Sequence, residues 1–90
     1  MPPLSISKDA RKFIDTLPPK QAAQISKKIL DFCFDPFPSD SIDLKGQMKG
    51  YRRADIGEFR IVYRIDEGIV RIHDVGKRND DEIYRKLRRK

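Results

Sequence analysis

"YRRADIGEFRIVYRIDEGIVRIHDVG", residues 51–76, alternates in side-chain character with a period of two and is broken twice by a glycine. This pattern predicts three strands and two tight turns. Gly57-Glu58 suits a two-residue turn with glycine first, and Glu67-Gly68 one with glycine second. If both loops have two residues, the register is fixed. In the first hairpin Asp55 faces Arg60, Ala54 faces Ile61, Arg53 faces Val62 and Tyr51 faces Arg64. In the second, Ile65 faces Val70, Arg64 faces Arg71, Tyr63 faces Ile72 and Val62 faces His73.

That register sorts the side chains. Ala54, Ile56, Phe59, Ile61, Tyr63, Ile65, Val70 and Ile72 form an apolar face that something must cover. Tyr51, Arg53, Asp55, Arg60, Val62, Arg64, Arg71, His73 and Val75 form an open, cationic and partly aromatic face. Arg64 opposite Arg71 places like charges side by side, which costs stability unless an anion lies over them.

The cover comes from upstream. "PLSIS" reads as a short first strand around Leu4 and Ile6. Ser7 can cap a helix from Lys8 to about Thr16, with Phe13, Ile14 and Leu17 on one stripe. Pro18 and Pro19 end it, and Pro19 suits the first turn of a second helix, 19–34. That helix carries Ala22, Ile25, Ile29 and Phe32 on one face. "DPFPSDS" is then a loop, and the cluster Phe32, Cys33, Phe34 and Phe37 is expected in the core or in a partner groove. Downstream, Asn79 and Glu82 resemble a capping box for a short closing helix, about 80–88, with Ile83 and Leu87 facing the core. The expected fold is α+β: a single domain, 1–90, with an antiparallel sheet of about four strands, an N-terminal helical hairpin on one face and a short C-terminal helix.

Composition narrows the chemistry. Net charge is +6, and five of those six charges fall in residues 43–90, which hold 14 Lys+Arg against 9 Asp+Glu. An anionic partner would bind there. One cysteine and one histidine give no zinc site of familiar spacing, so no metal and no cofactor are expected. The glycine pattern is not a phosphate loop. A lone Cys33 and the lack of a long apolar run predict a chain of the reducing cytoplasm, without membrane association. A basic face with tyrosine suits phosphodiester chemistry on RNA. Attack by a 2′-hydroxyl needs a base, cations for the phosphoryl charge and an acid for the leaving oxygen. Arginine supplies the second need in planar, bidentate form. The bland alternatives are a solvated sheet face for Arg53, Arg60, Arg64 and Arg71, a cross-strand ion pair for Asp55 and Arg60, and a structural role for His73.

"LKG" at 44–46, "GYRR" at 50–53, "GEFRIVYRI" at 57–65 and "VGKRNDDEIYRKL" at 75–87 resemble the RelE/ParE superfamily of bacterial and archaeal toxins. The resemblance implies the order β-α-α-β-β-β-α and, for a RelE-like member, ribosome-dependent cleavage of mRNA in the A site. It implies that Arg60 and Arg78 hold and neutralise the scissile phosphate. Tyr84 would stack on or orient the nucleotide, and Arg53 would keep a cation on the strand. Lys45, Lys49, Arg52, Arg64, Arg71 and Lys77 are further phosphate-binding candidates, and His73 is a candidate proton carrier. The strand at 51–55 lacks the two alternating lysines of the best-known RelE pattern and carries Asp55 instead, which leaves the general base unassigned. The implied partners are a cognate antitoxin, the ribosome and mRNA. The alternatives are a ParE-like inhibitor of DNA gyrase, and a weakly active member that serves mainly to bind its antitoxin.

Overall fold

Ser7 joins the two halves of the fold. In the computed structural model, which describes residues 3–78, β1 (Leu4–Ile6) runs straight into Ser7 and then into α1 (Lys8–Asp15). The Ser7 hydroxyl accepts from the Ala10 N–H at 3.1 Å and donates to the His73 carbonyl at 2.6 Å. The Ser7 N–H donates to the Ile72 carbonyl at 3.0 Å. One residue therefore caps a helix and ties its start to a strand 66 positions away.

α2 (Pro19–Phe34) opens on proline, as expected from the ring's fixed φ. There follow β2 (Ser41–Asp43), a 3-10 turn (Gly46–Met48), β3 (Arg52–Ile56), β4 (Phe59–Asp66) and β5 (Ile69–Lys77). The sheet order is β1-β5-β4-β3-β2. The sheet has five strands rather than four and is mixed rather than antiparallel. β1 pairs parallel to β5, and β2 adds an antiparallel edge to β3. β1 falls where Leu4 and Ile6 led us to expect a strand; β2 is the added one, three residues held by its neighbour's ladder and too short to show a period of its own. The expected closing helix, 80–88, lies outside the described residues.

The first hairpin has the expected register, with Asp55 against Arg60 and Arg53 against Val62. The second follows it only as far as Tyr63 against Ile72. There a bulge inserts one extra residue on β5, so that Val62 pairs with Asp74, not His73, and Ile61 pairs with Val75. Beyond the bulge the side chains of β5 change face, as a one-residue slip requires. Val75, assigned to the open face by simple alternation, is 2% exposed and belongs to the core. The bulged strand is the one whose Ile72 and His73 carbonyls Ser7 engages.

The core lies between the helices and one face of the sheet. Ala10 of α1 and Ile25, Ile29 and Phe32 of α2 meet Ala54, Phe59, Ile61, Tyr63, Val70, Ile72 and Val75. Phe32 stacks on Tyr63 with centroids 4.0 Å apart, and the buried Tyr63 hydroxyl donates to the Pro36 carbonyl at 2.8 Å. The aromatic cluster of the α2 end is split: Phe32 is buried and Cys33 half-buried, while Phe34 (79%) and Phe37 (59%) are exposed. Phe37 packs under the Arg52 guanidinium, 5.0 Å from ring centroid to carbon. Burial pushes the Cys33 thiol up from its ordinary value.

Candidate functional site

Two arginine clusters stand on the open face of the sheet. The first is at the β3–β4 hairpin end. Register puts Asp55 of β3 directly across from Arg60 of β4, and Arg60 across from Gly76 of β5. Gly76 contributes no side chain to that face. The ladder continues to Arg78, whose N–H donates to the Glu58 carbonyl at 2.9 Å. Arg78 therefore stands two residues beyond Gly76 and on the same side.

The guanidiniums of Arg60 and Arg78 converge on one carboxylate. Arg60 Nε lies 2.8 Å from Asp55 Oδ1, and its Nη2 lies 3.3 Å from Oδ2. Arg78 Nε approaches the same Oδ2 at 3.8 Å. The hydrogen bond from Arg60 holds the Asp55 carboxyl below the usual carboxylate range, against the upward pull of burial. The charges of Arg60, Arg78 and Arg53 add to the lowering. Arg53 shares this face two residues before Asp55, across from the buried Val62. An open depression of about 430 Å³ beside the cluster is lined by Gly57, Glu58, Lys77 and Arg78.

The second cluster lies four residues further along β4, roughly 13 Å away at strand rise. Arg64 and Arg71 are cross-strand partners, as expected. The anion that relieves their repulsion is internal: Asp66 Oδ2 is 3.0 Å from Arg71 Nε and 3.7 Å from Arg64 Nη2. The clue in the sequence is the i+2 spacing of Asp66 from Arg64, which puts both on one face. Arg64 also lies over the Tyr51 ring at 5.7 Å, and Tyr51 meets His73 edge-on at 5.1 Å. His73 is thus placed with Tyr51 and Arg64 and not with Arg60. The bulge brings Asp74, 4% exposed, beneath the open face opposite Val62, where alternation alone puts it among the core residues.

The remaining candidates, Lys77 beside Arg78 excepted, stand apart. Arg52, next to Arg53 and so on the opposite face, binds Asp43 at 2.6 Å and the Ser41 hydroxyl at 2.7 Å. Lys45 and Lys49 line a separate depression of about 370 Å³ at the β2–β3 connection, with Asp43 and Gly50. Lys77 shares its register position with Phe59 at the exposed strand end. Tyr84 lies outside the described residues. Among the described residues no helix is long and apolar enough to cross a membrane.

Comparison with known proteins bears on the family and the fold. The family profile described as the ParE toxin of the type II toxin–antitoxin system, parDE, matches residues 4–82. No curated protein matches the chain in sequence. Among solved structures, a chain of the toxin–antitoxin complex RelBE2 from Mycobacterium tuberculosis is similar at a TM-score of 0.75 and 27% identity, covering 87% of this chain and 100% of that one. A chain of the archaeal RelE–RelB complex from Pyrococcus horikoshii OT3 follows at 0.74 and 23%, covering 84% and 93%. A mutant of the E. coli toxin RelE in the free state gives 0.78 and 20%, covering 98% and 95%. The last two share the fold.

Proposed function

The chain belongs to the ParE toxin family of type II toxin–antitoxin systems, within the RelE/ParE superfamily, and from that premise we propose that it arrests translation by cutting mRNA in the ribosomal A site. Arg60 and Arg78 bind the scissile phosphate and neutralise the charge that builds on it during 2′-hydroxyl attack. Arg53 adds a third cation, and Tyr84 stacks on or orients the nucleotide. The observation that carries this reading is the convergence of two guanidiniums from neighbouring strands on one oxyanion. A carboxylate offers the paired acceptor oxygens that a phosphodiester offers, and arginine forks fit both. The Arg64–Arg71 cluster extends the phosphate track along the same face. A cognate antitoxin neutralises the toxin by wrapping a disordered segment over the domain, which orders as it docks.

The test is expression in a bacterium of the wild type beside Arg60→Ala, Arg78→Ala and Tyr84→Ala, with mRNA 5′ ends mapped. In-frame cuts that appear with the wild type and vanish in the variants are the expected result. RNA affinity also falls with salt, and each arginine removed flattens the log–log slope by about one. An affinity indifferent to salt refutes a phosphate site.

A second reading is inhibition of DNA gyrase by binding. It is favoured by the ParE match. Growth arrest with DNA damage and intact mRNA would establish it in place of the first. Absence of arrest would leave a member that acts chiefly on its antitoxin.

A further inference from the structure

We propose that Asp55 is a built-in competitor for the anion site, a carboxylate that substrate phosphate must displace from Arg60 and Arg78 before RNA is held. The inference rests on the phosphate-site reading above and deepens it by naming the residue that sets the toxin's affinity for RNA.

The geometry is that of an occupied oxyanion site. Both oxygens of Asp55 are used. Oδ1 and Oδ2 receive the Nε and Nη2 edge of Arg60, and Oδ2 also faces Arg78. This paired-fork arrangement is the one guanidinium adopts with phosphate. Arg60 is held close, with 16% of its side chain exposed, whereas Arg78 at 56% is reachable from solvent. An incoming phosphate meets Arg78 first and must then contend with the fixed charge of Asp55 for Arg60. Like charges about 4 Å apart repel enough, even at the dielectric of water, to lower affinity about fivefold. The Asp55 side chain is about a third exposed and turns on two torsions, so it can swing out when a stronger, doubly coordinated anion arrives. The second cluster repeats the device, with Asp66 bridging Arg71 and Arg64. A purely structural ion pair predicts the opposite: removing the carboxylate would disorder Arg60 and weaken binding.

The experiment measures binding of an uncleavable 2′-O-methyl RNA oligonucleotide by fluorescence anisotropy, at low and moderate salt, with the full chain. Four proteins are compared: wild type, Asp55→Asn, Arg60→Ala/Arg78→Ala, and the triple variant. Asp55→Asn is expected to bind about fivefold tighter or more, and the gain is expected to vanish when both arginines are absent. Asp55→Thr, which suits a strand, gives the same gain and stands in if the asparagine variant does not fold. If the arginine variant binds weakly but Asp55→Asn binds no tighter than wild type, the phosphate site stands and the competitor role is refuted. A gain that persists without the arginines reflects net charge alone and also refutes it. RNA affinity indifferent to Arg60 and Arg78 removes the phosphate site, and the competitor role with it.

Discussion

Replacing Ser7 by alanine tests how far one hydroxyl organises the fold. The side chain makes two bonds: it accepts from the Ala10 N–H at the helix start and donates to the His73 carbonyl beside the bulge. Loss of an N-cap costs about 1 kcal/mol. Loss of a partly buried neutral hydrogen bond costs about another 1 kcal/mol. The Ser7 backbone bond to Ile72 survives the substitution. The expected total is therefore about 2 kcal/mol, which for a domain of this size lowers Tm by roughly 8–16 °C. Urea and thermal denaturation at neutral pH measure it directly. Two further variants divide the effect. Ser7→Thr keeps both bonds and should stay within about 0.5 kcal/mol of wild type. Ser7→Asp keeps the acceptor for Ala10 but sets an acceptor-only carboxylate against the His73 carbonyl, and should recover less than half the loss. Hydrogen exchange at Val75 should quicken in Ser7→Ala, because the bulge that turns Val75 inward loses its anchor. A Ser7→Ala loss below about 0.5 kcal/mol would refute the claim that this contact holds β5 in its shifted register.

Other perturbations have equally definite outcomes. Phe32→Ala removes a fully buried ring stacked on Tyr63 and should cost about 3–5 kcal/mol, read from the urea midpoint. Glu67→Asn should raise Tm by a few degrees, since Glu67 sits at φ +52° before Gly68 at φ +78°, a turn in which Asn-Gly is favoured. Asp55 has a folded-state pKa below its unfolded value, so its contribution is complete above about pH 4 and is lost as pH falls through the folded value. Wild type should accordingly lose more stability than Asp55→Asn between pH 4 and the end of the acid transition, and parallel acid profiles would show that the Arg60 pairing does not stabilise the fold.

Local pattern along the chain is enough to place β1, the two helices, the three central strands and the first hairpin's register. Each is a local matter: a capping serine, a proline pair, a period of two, and glycines where the backbone needs positive φ at 57 and 68. It also brought Asp55, Arg60 and Arg53 to one face, because a two-residue turn leaves no freedom in the register. What lies beyond Tyr63 depends on contacts between distant segments. The bulge leaves no mark in composition, and its anchor, Ser7, is 66 residues distant. It turns Val75 into the core and brings Asp74 beneath the basic face. Likewise β1 is foreshadowed by Leu4 and Ile6 but its parallel place beside β5 is not, and β2 exists only because β3 offers it a ladder. Pairing across a sheet is a contest among distant segments for the same hydrogen bonds, and its result is written in no one stretch of the chain.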